Sequence, residues 1–328
     1  MDIRGSSEGG DDMVPYRCDN TCMHPALKII AFKQLVLSMS SFQALKTQYG
    51  LLLKRFLNSN KDFEVLTTIP PDHSAESETL YVLDSSFNPP TRAHLRIVST
   101  AVIENPRPRP RVLLLLATQN ADKPSKPASF EDRLAMMELF ARDLRAHLAS
   151  APAFAASGVT NAVETLPLID IGVTKMPYFV DKATAIEASD SYPVPLEQVH
   201  LTGYDTLIRI FDSKYYAPEH TLKPLEPFLS KHRLRVTMRP SDEWGGREEQ
   251  LEYVAALARG DRDGEGARRE WAERIHLVEG RLSTDRPVSS TRAREALQSA
   301  PQDLNWLVPE QVRQFVLSER PYYGSSKM

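Results

Sequence analysis

Apolar positions recur at helical spacing through residues 26–57, where Phe32, Leu35, Val36, Phe42, Leu45, Leu52, Leu53 and Phe56 predict one or two amphipathic helices. Residues 1–25 are polar, contain several glycines and carry no such period, which predicts a disordered tail. The polar, proline-containing stretch 68–78 reads as a loop. Beyond it, strand and helix signals alternate. Short apolar runs predict strands at 80–83, 111–117, 162–166, 198–201, 234–238 and 275–278. Between and after them, helical spacing predicts helices at 91–103, 130–148, 177–187, 204–211, 247–259, 290–298 and 310–317. Proline-rich 105–110 and glycine-containing 261–266 are loops. The run RVLLLLA at 111–117 is apolar on both faces after its first residue, as a central parallel strand requires. The alternation predicts an α/β fold, a Rossmann-like doubly wound parallel sheet with an N-terminal helical extension. The expected organisation is a tail at 1–25, a helical extension and loop at 26–78, the main domain at 79–323 and a tail at 324–328.

One strand–loop–helix segment carries chemistry. In YVLDSSFNPPTRAHL, an apolar strand ends at Asp84, passes Ser85, Ser86 and Phe87, crosses two prolines and enters a helix at Thr91. Open α/β sheets bind ligands beyond the carboxyl ends of their strands. A helix start there offers unpaired N–H groups and a positive dipole end to an anion. Thr91 is a suitable N-cap, and His94, three residues on, shares its helix face. A second helix start, PVSSTRAREAL, places the hydroxyls of Ser289, Ser290 and Thr291 near Arg294, a set that suits a polyphosphate. Asp205, after the strand at 198–201, can accept two ribose hydroxyl bonds or serve as a helix N-terminal charge.

At these residues the chain resembles the nicotinamide/nicotinate mononucleotide adenylyltransferases, as a divergent member of the nucleotidyltransferase superfamily with the His-x-Gly-His box. SFNPPTRAH is similar to that family's first signature, with Ser85 in place of its usual glycine and Ala93 before the closing His94. VSSTRAR is similar to its Ile-Ser-Ser-Thr-x-x-Arg signature, and GYDTL to its Gly-x-Asp-x-Leu stretch. WLVPEQVRQF resembles the closing structural segment, so the likeness covers most of residues 80–323.

The resemblance implies transfer of AMP from ATP to nicotinamide mononucleotide, yielding NAD and pyrophosphate; nicotinate mononucleotide is the other acceptor of this kind. His94, with Thr91 beside it, is implied to donate to the ATP phosphates. Arg294 and Lys123, with Lys126 as the alternative lysine, are implied to hold pyrophosphate. Ser85, Ser86 and Phe87 form the implied phosphate loop, the two serines through their backbone N–H groups, and Ser289, Ser290 and Thr291 the second phosphate-binding helix start. Gly203 and Asp205 are implied at the adenosine ribose. Tyr178, Tyr215 and Tyr216 are candidates for stacking on the pyridine ring. Mg²⁺ is implied on the ATP phosphates with no side-chain ligands. An ATP-binding or ATP-hydrolysing regulatory protein of the same fold, with weak or no transfer, is the alternative.

Composition narrows this only at the edges. A formal net charge of −3 over 328 residues gives no field that would gather nucleic acid or an anionic membrane. No apolar run approaches the roughly 18–20 residues of a spanning helix. Cys18, Cys22 and His24 lack a fourth ligand at zinc spacing and read as reduced thiols in the tail. The acidic start does not resemble a leader, so the expected location is cytoplasm, nucleus or both.

Overall fold

The computed structural model describes residues 25–71, 77–104, 110–119, 128–155, 166–193, 195–239, 244–280 and 285–323. The expected tail up to residue 24 with Cys18, Cys22 and His24, the segment 105–109, both candidate lysines Lys123 and Lys126, and 324–328 lie outside the described residues. Residues 1–41 and 42–328 form two units. In the first, the described residues are helical from Pro25; the same helix, α1 (Pro25–Leu57), continues into the second.

The second unit holds a seven-stranded sheet. Its elements run β1 (Phe63–Ile69), β2 (Thr79–Asp84), α2 (Arg92–Glu104), β3 (Arg111–Ala117), α3 (Phe130–Ala149), β4 (Leu168–Thr174), α4 (Phe179–Glu187), β5 (Glu197–Gly203), α5 (Tyr204–Ile210), β6 (Arg233–Thr237), α6 (Arg247–Arg259), β7 (Ile275–Val278), α7 (Ser290–Ser299) and α8 (Glu310–Glu319). The spatial order is β1-β4-β3-β2-β5-β6-β7. Five of the six pairings are parallel, and β1 alone runs antiparallel, against β4. From β2 the chain winds outward through β3 and β4, then returns to the other side of β2 for β5, β6 and β7. The order therefore reverses between β2 and β5, where a doubly wound sheet opens a ligand crevice.

Strand β3 shows why the sheet is covered on both sides. Val112, Leu114 and Leu116 enter one buried cluster and Leu113 and Leu115 another, because successive side chains point to opposite faces. The first cluster gathers α2, α3, α7 and α8; Phe42, Tyr49, Leu53 and Phe56 of α1 belong to it. Phe42 meets Phe315 of α8 edge-on at 5.4 Å, and the Tyr49 hydroxyl donates to Glu138 of α3 at 2.8 Å. The α1 segment from Phe42 onward is thus part of the core.

Two strands differ from expectation. Strand β1 falls where no strand was predicted, and it takes in Thr68 and Ile69 from the expected loop. The strand expected at 162–166 is instead Leu168–Thr174; its residues 162–165 lie outside the described residues. The run LIDIGVT hides its strand character behind Asp170, a residue that ordinarily stays at the surface. Here Asp170 is fully buried and fully partnered. Arg111 donates to both its oxygens, at 2.7 and 3.2 Å, Thr68 to Oδ1 at 2.7 Å and Tyr192 to Oδ2 at 3.0 Å. The cluster ties β1, β3 and β4 to the segment after α4.

Candidate active site

Beyond the carboxyl ends of β2, β5, β6 and β7 lies a cleft of about 700 Å³. It spans the switch between β2 and β5 and is bounded by the first turns of α2 and α7. Ser85, Thr91 and His94 line it from one side, Gly203 and Asp205 from the strand ends, and Ser289 and Ser290 from α7. Segments almost two hundred residues apart in sequence thus share one wall.

The His94 ring is held on both nitrogens. Its Nδ1 accepts the Thr91 backbone N–H at 3.0 Å, with the Thr91 hydroxyl at 2.8 Å. Thr91 is the N-cap of α2 and His94 its N3 residue, so the imidazole plays the part that Glu or Gln plays in a capping box. An Nδ1 that accepts an N–H carries no proton, which assigns the neutral ring its proton on Nε2. That nitrogen faces Ser85 Oγ at 3.0 Å. Phe87 packs on the ring from behind at 5.6 Å. Burial lowers the His94 pKa from 6.5 to about 4, so at neutral pH the ring is an uncharged N–H donor.

Burial lowers the pKa of His200 and His232 as well. An unfolded histidine takes up its proton near pH 6.5, and these folded ones do so lower. Between those values the unfolded chain binds more protons, so stability is fully present above about pH 6.5 and falls as the pH is lowered. Urea midpoints are expected to drop from pH 6.5 to pH 5, and the His94→Gln variant to show a shallower drop.

Several expected residues take other places. The Ser85 N–H donates to Leu115 O at 3.2 Å, extending the ladder to β3, so only its hydroxyl is left for a ligand. Phe87 is fully buried in the core, and its backbone sits at φ +46°, a left-handed conformation uncommon outside glycine. Such strain persists only where the surroundings impose it. Thr291 and Arg294 do not line the cleft. Arg294 donates to Asn88 O at 2.7 Å and to the Thr291 hydroxyl at 3.1 Å, while Ser290 Oγ donates to Pro89 O at 2.8 Å. The first turn of α7 is therefore braced against the loop that carries Asn88 and Pro89. Tyr178, Tyr215 and Tyr216 lie outside the cleft lining. Tyr178 is exposed, and Tyr216 is a core residue whose hydroxyl donates to Ile210 O at 2.6 Å.

Among the described residues no three His, Cys, Asp or Glu side chains converge as a metal site, and no helix is long and apolar enough to cross a membrane.

No family model matches the chain. A Schizosaccharomyces pombe protein named "Putative nicotinamide mononucleotide adenylyltransferase" is 30% identical over 276 residues, covering 84% of this chain and 97% of its own length. The chain belongs to this adenylyltransferase family. It is a nucleotidyltransferase in consequence. Two solved structures are also similar to it. The Plasmodium falciparum nicotinic acid mononucleotide adenylyltransferase in complex with NaAD is 13% identical, with a TM-score of 0.47 over 75% of this chain and 98% of its own. A protein from Vibrio parahaemolyticus described as "a Putative Nicotinate-nucleotide Adenylyltransferase" is 14% identical, with a TM-score of 0.31 over 76% and 98%.

Other residues of this family member complete the site without having been legible as motifs. Arg133 of α3 is 1% exposed and donates from Nε to Ser86 O at 2.7 Å, fixing the loop from below; its two Nη atoms have no partner among the described residues. Lys182 of α4 holds Asp84 at 2.5 Å and offsets the charge of a carboxylate that lines the cleft. Gly280 admits no side chain, since a Cβ there would lie 2.1 Å from Met238 O. That close approach lets the chain after β7 wall the cleft beside β6. Trp306, read from sequence as structural, also lines the cleft, with Arg286 5.6 Å from its ring centroid.

Proposed function

We propose that the chain transfers the adenylyl group of Mg²⁺-bound ATP to nicotinamide mononucleotide, forming NAD and pyrophosphate. The observation that carries this reading is the meeting of Ser85, Thr91 and His94, Asp205, and Ser289 and Ser290 around one cleft at the switch of a doubly wound sheet. The acceptor's phosphate oxygen attacks the α-phosphorus, its new P–O bond forms as the bond to the β-phosphate breaks, and pyrophosphate leaves with the electron pair. The attacking group is already an anion, so no side-chain nucleophile or base is needed. Catalysis rests on alignment and on donors aimed at the oxygens that gain charge.

Ser85 and the neutral His94 ring, linked through Nε2 at 3.0 Å, line the cleft together and offer donor capacity to those oxygens. The Ser289 Oγ caps α7 by accepting the Arg292 N–H at 3.2 Å, which leaves its own proton for phosphate. Asp205 suits the adenosine ribose, and the Arg239 guanidinium lies 4.0 Å away. Gly203 makes room for it, because a Cβ there would lie 2.6 Å from Asp205 Oδ1. Mg²⁺ brought by the triphosphate would supply charge neutralisation, and no side chain is assigned to hold it. The family membership supports a pyridine mononucleotide as acceptor, and the relative's name supports the nicotinamide form. Incubation of the protein with Mg²⁺ and ATP, with either nicotinamide or nicotinate mononucleotide, is expected to release pyrophosphate with NAD as the faster product. Faster formation of the nicotinate dinucleotide would reverse the acceptor assignment. ATP bound or hydrolysed without any dinucleotide would replace transfer by the regulatory reading.

A further inference from the structure

Ser85 differs from its neighbours in the phosphate loop because its backbone N–H is spent on Leu115. What remains is a hydroxyl that lines the cleft and stands 3.0 Å from His94 Nε2. The direction of that hydrogen bond follows from the other side of the ring. Nδ1 accepts from the Thr91 N–H, so Nε2 carries the proton and donates it to Ser85 Oγ. The Ser85 hydroxyl proton then has no acceptor among the described residues and is free for a ligand in the cleft. A hydroxyl that accepts one hydrogen bond becomes a stronger donor in the next, since linked bonds polarise each other.

We propose that Ser85 is the group that touches the nucleotide phosphate, receiving the Nε2–H of His94 and donating its own O–H to a phosphate oxygen, so that His94 acts through it as a positioning and polarising residue. This rests on the transfer reading above and deepens it. No proton changes owner: both bonds strengthen as the phosphate oxygen gains charge and relax when the products leave. With glycine at this position the imidazole would meet the phosphate directly or through water; serine interposes a fixed donor. Both groups line the cleft, and one hydrogen bond joins them.

The test is a double-mutant cycle of Ser85→Ala and His94→Ala on the full chain, with circular dichroism and melting curves to verify folding; His94→Gln takes the second place if the alanine variant does not fold. Dinucleotide formation and the Kd for Mg²⁺-bound ATP are both measured. A relay predicts that Ser85→Ala lowers kcat/KM at least as much as His94→Ala does, about 10²–10³-fold, and that removing His94 costs much less in the Ser85→Ala background than in the wild type. The Kd values are expected to show the same lack of additivity. A Ser85→Ala variant within twofold of wild type, or a double variant whose loss equals the product of the single losses, overturns the relay. If the wild type binds ATP but forms no dinucleotide, the transfer reading fails while the Kd cycle still decides the role of Ser85. A wild type that binds no ATP overturns both.

Discussion

Replacement of His94 by alanine is expected to lower kcat for dinucleotide formation by about 10²–10³-fold, with a much smaller change in KM. The size is that of one preorganised donor removed from a site of charge development, about 3–4 kcal/mol of transition-state stabilisation. The loss should fall on kcat because the Nε2–H matters most when the phosphate oxygens gain charge. The ring is prepared for this by its neighbours: Thr91 fixes the tautomer, Phe87 lies against it at 5.6 Å, and burial keeps it neutral at about pH 7 with a pKa near 4. An imidazolium would be the better electrostatic partner for phosphate, yet the enclosed site disfavours it before ligand arrives. The variant also loses the Thr91 capping bond, which costs about 1 kcal/mol of stability and should appear as a modest fall in melting temperature. Steady-state kinetics beside thermal melts separates the two effects. A variant that turns over like wild type would remove His94 from the chemistry.

Asp170→Ala is expected to produce the largest loss of stability, about 3–5 kcal/mol. Asp170 is wholly buried, and its removal takes the ion-pair carboxylate from Arg111, whose guanidinium lies over the Tyr192 ring at 5.1 Å, and the acceptor from the hydroxyls of Thr68 and Tyr192. Removing one partner of a buried ion pair costs far more than the net worth of the pair. Burial first, and then the Asp170 carboxylate, hold the Tyr192 hydroxyl well above its ordinary pKa, so it remains a protonated donor throughout the working range. Asp170→Asn, which keeps the shape and one acceptor oxygen while turning an NH2 toward the donors at the other, should lose less than the alanine variant. Urea unfolding with a common slope measures both. The cluster lies away from the cleft, at the start of β3, so any folded fraction of Asp170→Ala should retain the KM for ATP. Equal stability of the alanine variant and wild type would mean that water or a neighbouring group replaces the carboxylate.

Much of the fold was legible because strands and helices of a doubly wound sheet differ in period. RVLLLLA could only be a strand covered on both faces, and the structure has β3 at those residues. The helix at Arg247–Arg259 and the strand at Ile275–Val278 likewise have the bounds expected of them. The pattern failed where local character and tertiary environment disagree. Asp170 interrupts an apolar run and disguises β4, because its partners come from β1, β3 and the segment after α4, all remote in sequence. Strand β1 is half-buried over much of its length and lacks an alternating signal.

The site divides along the same line. Residue types and local spacing placed Thr91 and His94 on one helix turn, put Ser289 at the N-cap of α7 and set Asp205 just beyond a strand end. Those are consequences of helical geometry and strand–helix connection within about a dozen residues, and the sequence by itself determined them. Which groups still have hydrogen-bonding capacity for a ligand was decided only by the tertiary structure. Ser85 keeps a hydroxyl but spends its N–H on β3, Arg294 turns from phosphate to the Asn88 carbonyl, and Tyr216 is absorbed into the core. Arg133 and Lys182 enter as supports for the loop at Ser86 and for Asp84. Hydrogen-bonding capacity is shared out among groups that meet in space, so a string of residues can propose a donor but only packing determines whether it is free.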